Sequence, residues 1–388
     1  MLRWRFTAQG LDRAPGSLDG ATWPTQVPVL DLGVQDTGPD GALWALALRG
    51  APVDATTAAP GLALAWTVRG APHLYRREEL AAVARATAPL SEADARRRVH
   101  DAAKPLVAAG IDVTTAIVVV ARAMRQIVVG PTVKGDMSGR LTAAVDEPYV
   151  RWCGACRATH VYEMPFRLAA LHAGLELEPG TSPPVLVPVP SWPADHLDAF
   201  AATVATPPAE RDVPVHLDVV RAYLRLLGPA RPGDVAAYLD APAADVARRW
   251  SDLADELVEV EVEGERRWAL AEDDASLAEA SGSSGSSGSS GTVRLLGPFD
   301  LLLQGRDREL VVPDPAARSA LWPVLGRPGA VVLDGEVVGL WRPRAAGRRL
   351  RVQVTPWVPW TAKVERAVDT EAERLAAFRG VELGGRAA

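Results

Sequence analysis

The stretch LDVVRAYLRLLGPARPGDVAAYLDAPAADVARRWSDLADELVEVEVEGERRWAL, residues 217–270, decides the fold. Leu217, Val220, Leu224 and Leu227 recur at intervals of three and four, which predicts one apolar face of a helix stopped by Gly228-Pro229. A second short helix follows from Pro232 to Leu239, with proline where a helix tolerates it. A third runs from Ala243 to about Leu253 and places Val246, Trp250 and Leu253 on one side. The chain then changes period. Val258, Val260 and Val262 alternate with Glu259, Glu261 and Glu263, and Gly264 supplies a hairpin turn. Three helices and a two-stranded hairpin are the order of a winged-helix domain. Its wing is acidic, and Arg248 and Arg249 are offset by Asp245, Asp252 and Asp255, so this unit is expected to be a scaffold rather than a reader of phosphate.

A looser version of the same pattern lies upstream. Asp112 or Thr114 is placed to cap a helix reaching Val129, TVKGDMSGRLTAAV forms a second helix, and a third covers roughly residues 160–173. Between residues 92 and 157 there are ten basic residues and seven acids, a local positive surplus in a chain of net charge −6. That surplus makes the middle segment, with Lys134 and Arg140, the better candidate for phosphate contact. In the first ninety residues, LWALALRG is helical and LALAWTVRG with HLYRREEL forms a hairpin leading into a helix. Downstream, SGSSGSSGSSG is a flexible linker. Beyond it, VVLDGEVVGLWRPR and GRRLRVQVTPW alternate as a small barrel or curled sheet would. Five arginines lie between residues 341 and 351 with no acid among them, and a solvated hairpin accounts for them as well as a phosphate contact does.

The fold class expected is therefore α+β, three tandem winged-helix domains followed by a C-terminal β-barrel-like domain. Its segments are 1–90, 91–190 and 212–275, a Gly/Ser-rich linker at 276–292, and a barrel at 293–388. A length of 388 residues suits several cores, and 48% hydrophobic content with 23% charge argues against disorder. No run of about 18 apolar residues predicts a membrane span, and MLRWRFTAQGLDR carries charge where a signal peptide needs its apolar segment. Two cysteines are too few for a disulfide framework, so a cytoplasmic protein is expected. Bulk charge excludes a protein that coats nucleic acid nonspecifically.

Several segments, in order along nearly the whole chain, resemble the AlkZ/YcaQ-type family of bacterial winged-helix DNA glycosylases. They are LGVQDTGPDGALWALALRG, WTVRGAPHLY, the unit around RAYLRLLGPARPGDVAAYL, and LLGPFDLLLQGRDREL with VVLDGEVVGLWR. The resemblance implies three winged-helix domains and a β-barrel, duplex DNA with alkylated bases as partner, a monomer, and no cofactor. It also implies a short catalytic motif, glutamine, any residue, then glutamine or aspartate, just before the LWALALR helix.

Here the motif region reads Val34-Gln35-Asp36-Thr37. With Gln35 in the first position the third is Thr37; with Asp36 in the third position the first is Val34. Either alignment leaves one amide and one carboxylate, now adjacent. Hydrolysing the N-glycosidic bond of an N7-alkylated purine passes through an oxocarbenium-like sugar, as glycoside hydrolysis does. The purine leaves easily because it is already cationic. Asp36 is then expected to stabilise the cation and take a proton from water, Gln35 to hold that water, and Thr37 to add a hydroxyl. The plainer alternative is a helix cap, with Asp36 accepting backbone N–H groups near Pro39.

Arg69 and His73 in WTVRGAPHLY match the family beside the same domain and are expected to support the site or contact phosphate, although a lone histidine is more often structural. Arg306 and Arg308 in QGRDREL are the expected phosphate contacts of the barrel, while an internal ion pair explains Asp307 equally well. Arg348 and Arg349 join them as candidates for DNA contact. Cys153, Cys156 and His160 offer three zinc-ligand types, one short of a closed structural site, with Glu163 or His172 as possible fourth. The preferred reading is two buried thiols and no metal. The functions to separate are a monofunctional glycosylase releasing alkylated or crosslinked purines with a positioned water, a non-catalytic winged-helix DNA-binding protein, and, last, a transcription regulator.

Overall fold

The computed structural model describes all residues except 39, 58, 204–210, 283–290, 347–348 and 388. Two compact units divide the chain: Met1–Pro60, Ala222–Asp234 and Asp255–Ala388 form the first, Gly61–Arg221 and Val235–Ala254 the second.

The first unit is organised by a curled five-stranded sheet in which Val293–Leu296, Gly329–Leu333, Glu336–Ala346, Arg349–Pro356 and Glu382–Ala387 lie in sequence order. The first four pair antiparallel, and the last pairs parallel to its neighbour. A parallel pair needs a long crossover, and the helix Ala362–Phe378 provides it. Thr361 starts that helix by accepting the Val364 N–H, and Val368, Ala372, Leu375 and Ala376 form its buried stripe. Phe6, Leu11, Trp44 and Leu48, from the start of the chain, belong to the same core as the sheet residues Leu295, Val331, Trp341 and Val352. The first sixty residues therefore fold with the C-terminal sheet. The boundary expected at residue 90 falls at 60, because the apolar faces of Leu2–Ala8 and Gly41–Ala47 are buried there.

In the second unit, Pro72–Arg76, Leu62–Trp66, Leu175–Leu177, Val185–Pro188 and Thr132–Val133 follow one another in an antiparallel sheet. The helix Val113–Ile127 buries Val113, Ala116, Ile117, Val120, Ala121 and Met124, a period-3.6 stripe. Asp112 stands at its N-cap position, but its side chain makes no capping bond. The Glu92 carboxylate does, accepting the Val113 and Thr114 N–H groups at 2.7 and 3.1 Å. His160, expected in a helix, lies instead in a hairpin of Val150–Cys153 with Ala158–Val161, and the helix begins at Glu163.

The elements of residues 217–270 appear in the expected order: helices Val219–Leu227, Pro232–Leu239 and Ala243–Asp252, then the hairpin Leu257–Val262 with Glu265–Leu270. Glu259, Glu261 and Glu263 are exposed, as the alternation requires. These elements do not form a compact unit of their own, since the division runs through them. The expected linker is shorter than drawn. A helix occupies Asp274–Gly282, anchored by Leu277 against Trp4 and Ala269, and residues 283–290 lie outside the described residues. Among the described residues, no helix is long and apolar enough to cross a membrane.

Candidate active site

The segment before the Gly41–Ala47 helix is extended, Val34–Gln35 forming a short strand. Extended backbone sends successive side chains to opposite faces, so Gln35 and Thr37 share one side and Asp36 takes the other. The consequences differ sharply. The Asp36 carboxylate turns to the helix start and accepts the Ala42 N–H at 2.9 Å. It packs so closely on Gly41, whose φ is +49°, that a Cβ there would lie 1.9 Å from Asp36 Oδ1. The geometry at Asp36 is that of the cap.

Gln35 and Thr37 instead line a cavity of about 20 Å³ with Asp40, Trp44, Pro298, Phe299 and Asp300. Gln35 Nε2 donates to Thr37 Oγ1 at 3.0 Å. Gln35 Oε1 accepts from Gln304 Nε2 at 3.1 Å, and Gln304 Nε2 also donates to the Phe299 carbonyl at 2.8 Å. Gln304 was missed by sequence reasoning. It stands in LLLQGRDREL, 269 residues from Gln35, and its neighbours Arg306 to Arg308 drew attention because they are charged. Asp40, on the cavity wall, is held by a two-armed ion pair with Arg379.

Directly beneath lies a denser set of ion pairs. Arg49 binds Asp300 through both oxygens at 2.8 and 2.9 Å and also donates to Gln9 Oε1. Arg5 grips Asp307 at 3.1 and 2.6 Å, and Arg267 lies 3.5 Å from the same carboxylate. Arg5 and Asp307 side chains are 0% and 2% exposed. Asp307 is thus the internal ion pair foreseen as an alternative.

The expected DNA contacts separate into groups. His73 is corrected: it is 1% exposed, its Nδ1 donates to the Ala71 carbonyl at 2.9 Å and lies 3.1 Å from Thr67 Oγ1, and it cannot reach a phosphate. Burial, aided by the neighbouring Arg69 charge, lowers its pKa to about 3. Arg69 stacks on the Tyr238 ring at 4.9 Å and donates to the Tyr238 carbonyl, a packing role. Lys134 is engaged by Glu163 at 2.7 Å. Arg140 is exposed and has no ion pair among the described residues. Arg306 and Arg308 border a cleft of about 740 Å³, Arg308 stacked on Trp322 at 5.0 Å, but Glu263, Glu265 and Glu309 share that wall. Arg349 is exposed and pairs with Glu382 at 3.3 Å, and Arg348 lies outside the described residues.

Cys153 and Cys156 are free thiols, but half-buried and exposed respectively rather than buried. Their ligand atoms and those of His160 all lie within 4.8 Å of one another. The Cys156 backbone N–H and the His160 side chain lower the Cys153 pKa to about 6.

The sequence comparison gives the class. The chain matches the DNA glycosylase AlkZ-like family over residues 29–378 and belongs to that family. It is 35% identical over 168 residues to an interstrand DNA cross-link repair glycosylase of Streptomyces sahachiroi, a match spanning 42% of this chain and 42% of that protein. The fold is similar to the solved structure of Streptomyces sahachiroi DNA glycosylase AlkZ, with a TM-score of 0.69 at 24% identity, covering 99% of this chain and 97% of that one.

Proposed function

We propose that the chain is a monofunctional DNA glycosylase that releases N7-alkylated or crosslinked purines from duplex DNA, with a water held by Gln35 and Thr37. The observation that carries this is the cavity at the family's motif position. A volume of about 20 Å³ suits a single water, whereas ligand pockets run to roughly 300–1,000 Å³. A lesion attached to its partner strand cannot be swallowed, and the size of the cavity agrees with a site that admits water and leaves the base outside.

The hydrogen-bond inventory supports the same assignment. An amide oxygen and a hydroxyl oxygen each offer two lone pairs. Gln304 uses one on Gln35 Oε1, and Gln35 Nε2 uses one on Thr37 Oγ1. The remaining two can receive both hydrogens of one water, which leaves that water's own lone pair directed outward to the anomeric carbon. The C1′–N9 bond breaks with its electron pair going to N9, which cancels the positive charge of the alkylated purine. The C1′–O bond forms, and the surplus proton passes to solvent. A strong general base is not needed, because the leaving group departs uncharged. Asp36 then serves by fixing the helix start and so the position of Gln35 and Thr37. The 212–275 elements are read as scaffold, and Arg140 and the Arg306–Arg308 cleft are read as phosphate contacts. The related crosslink-repair enzyme supports crosslinked purines as a substrate class.

The test is release of free base from duplex DNA bearing N7-methylguanine and from an N7-linked interstrand crosslink, followed by chromatography of the released purine. Release from either supports the reading. Release from neither, with tight binding to both, would instead establish the non-catalytic DNA-binding protein.

A further inference from the structure

The hairpin Val150–Cys153 with Ala158–Val161 has no part in the chemistry above, yet it gathers every cysteine in the chain. Its register places Cys153 opposite Ala158 and Arg151 opposite His160. Residues two apart on a strand share a face, so Cys153 and His160 are diagonal neighbours on the same face. The intervening turn, with Arg157 in the left-handed region at φ 53°, brings Cys156 back toward them. All three ligand atoms lie within 4.8 Å of one another. Tetrahedral zinc with Zn–S bonds of about 2.3 Å and Zn–N of about 2.0 Å keeps its ligand atoms roughly 3.4–3.8 Å apart. Only small side-chain rotations separate the two arrangements.

We infer that Cys153, Cys156 and His160 form a zinc site at the tip of this hairpin, with a water as fourth ligand. The residues considered for that fourth position are committed elsewhere. The Glu163 carboxylate is held by Lys134 at 2.7 Å and Arg167 at 2.6 Å. His172 is stacked on Phe200 with ring centroids 3.6 Å apart, inside the core. Cys156 is exposed, so the remaining corner faces solvent. Binding forms two zinc–thiolate bonds, with any remaining thiol proton released to solvent, and no oxidant or reductant takes part. The short hairpin otherwise has little to hold it: its residues 154–159 are all exposed. Metal would fix a tip that presents Trp152, which is 66% exposed, and Arg157 to solvent.

Cobalt(II) titration of the metal-stripped full chain tests this directly, with the thiol content measured beforehand. The expected result is one cobalt per chain, with tetrahedral visible bands and a thiolate-to-cobalt charge-transfer band, all displaced by an equivalent of zinc. Cys153→Ser and Cys156→Ser should each weaken binding and lower the charge-transfer band, the double variant should abolish it, and His160→Gln should weaken binding while the far-ultraviolet circular dichroism stays unchanged. Should either serine variant fail to fold, the wild-type spectrum and the His160→Gln titration still decide. A wild-type chain with both thiols reduced and no charge-transfer band would overturn the proposal. So would a cobalt spectrum that survives in the Cys153→Ser, Cys156→Ser double variant.

Discussion

Two polar clusters of the first unit interleave along the chain and follow opposite rules. In one, Arg49 with Asp300 and Arg5 with Asp307 are fully buried, and the carboxylates are met by both arms of a guanidinium. In the other, Gln35 and Thr37 are uncharged and part-buried, line a water-sized cavity, and are tied to Gln304 through the Gln35 amide oxygen. Charge here builds the frame, and the proposed chemistry falls to neutral polar groups. The physical reason is desolvation. A buried charge must be saturated by partners, whereas an amide or hydroxyl can keep a lone pair free at modest cost. A charged residue beside the family's motif is therefore a poor guide to catalysis in this chain, and the ion pairs mark where the site is anchored.

Substitutions on the charged side should have the largest effect, and on folding. Asp307→Ala leaves the buried Arg5 without its carboxylate, while Arg267 keeps Glu265 and Asp234, and a loss of about 3–5 kcal/mol is expected in denaturant unfolding. An effect below about 1 kcal/mol would break the contrast drawn here.

The second unit sharpens the same comparison through histidines that are buried uncharged. Burial lowers the pKa of His73 to about 3 and of His196 to about 4, and carries His172 well down. Their folded values lie below the unfolded value of 6.5, so on acidification the unfolded chain takes up protons first. The stability they permit is complete above pH 6.5 and is lost as pH falls toward 4. Unfolding midpoints should already decline between about pH 6.5 and 5, above the carboxylate range. A flat profile in that window would mean that these rings are solvated.

On the neutral side the effects are smaller and fall on rate. Gln304→Leu removes the donor that orients the Gln35 amide, a bond worth about 0.5–1.5 kcal/mol. Base release should fall about tenfold, with the melting temperature nearly unchanged. Asp36→Ala removes only a cap, costing about 1 kcal/mol of stability, whereas Asp36→Asn keeps an acceptor for the Ala42 N–H and should cost a few tenths at most.

The fold was legible where period and punctuation agreed. The 217–270 elements and the alternating C-terminal strands could be read because their side-chain periods switch cleanly from 3.6 to 2. Boundaries were not, because burial joins distant segments: Trp44 and Phe6 share a core with Val352, and no local pattern records that. The proposed site was only partly visible in the sequence. Gln35 and Thr37 lay in the motif region, and the cap at Asp36 was visible as an alternative. Gln304 was invisible, since its contact spans nearly the whole chain. His73 misled because a histidine in a matched motif gives no sign of its exposure, and here a strand residue faces the core.

The most direct measurement compares single-turnover release of N7-methylguanine from duplex DNA by the native chain, Gln35→Ala and Asp36→Asn, each checked for fold and DNA affinity. The account predicts that Gln35→Ala loses about 10²–10³-fold in rate while Asp36→Asn stays within a few-fold of the native chain. A folded, DNA-binding Asp36→Asn as inactive as Gln35→Ala would contradict it and return the chemistry to the carboxylate.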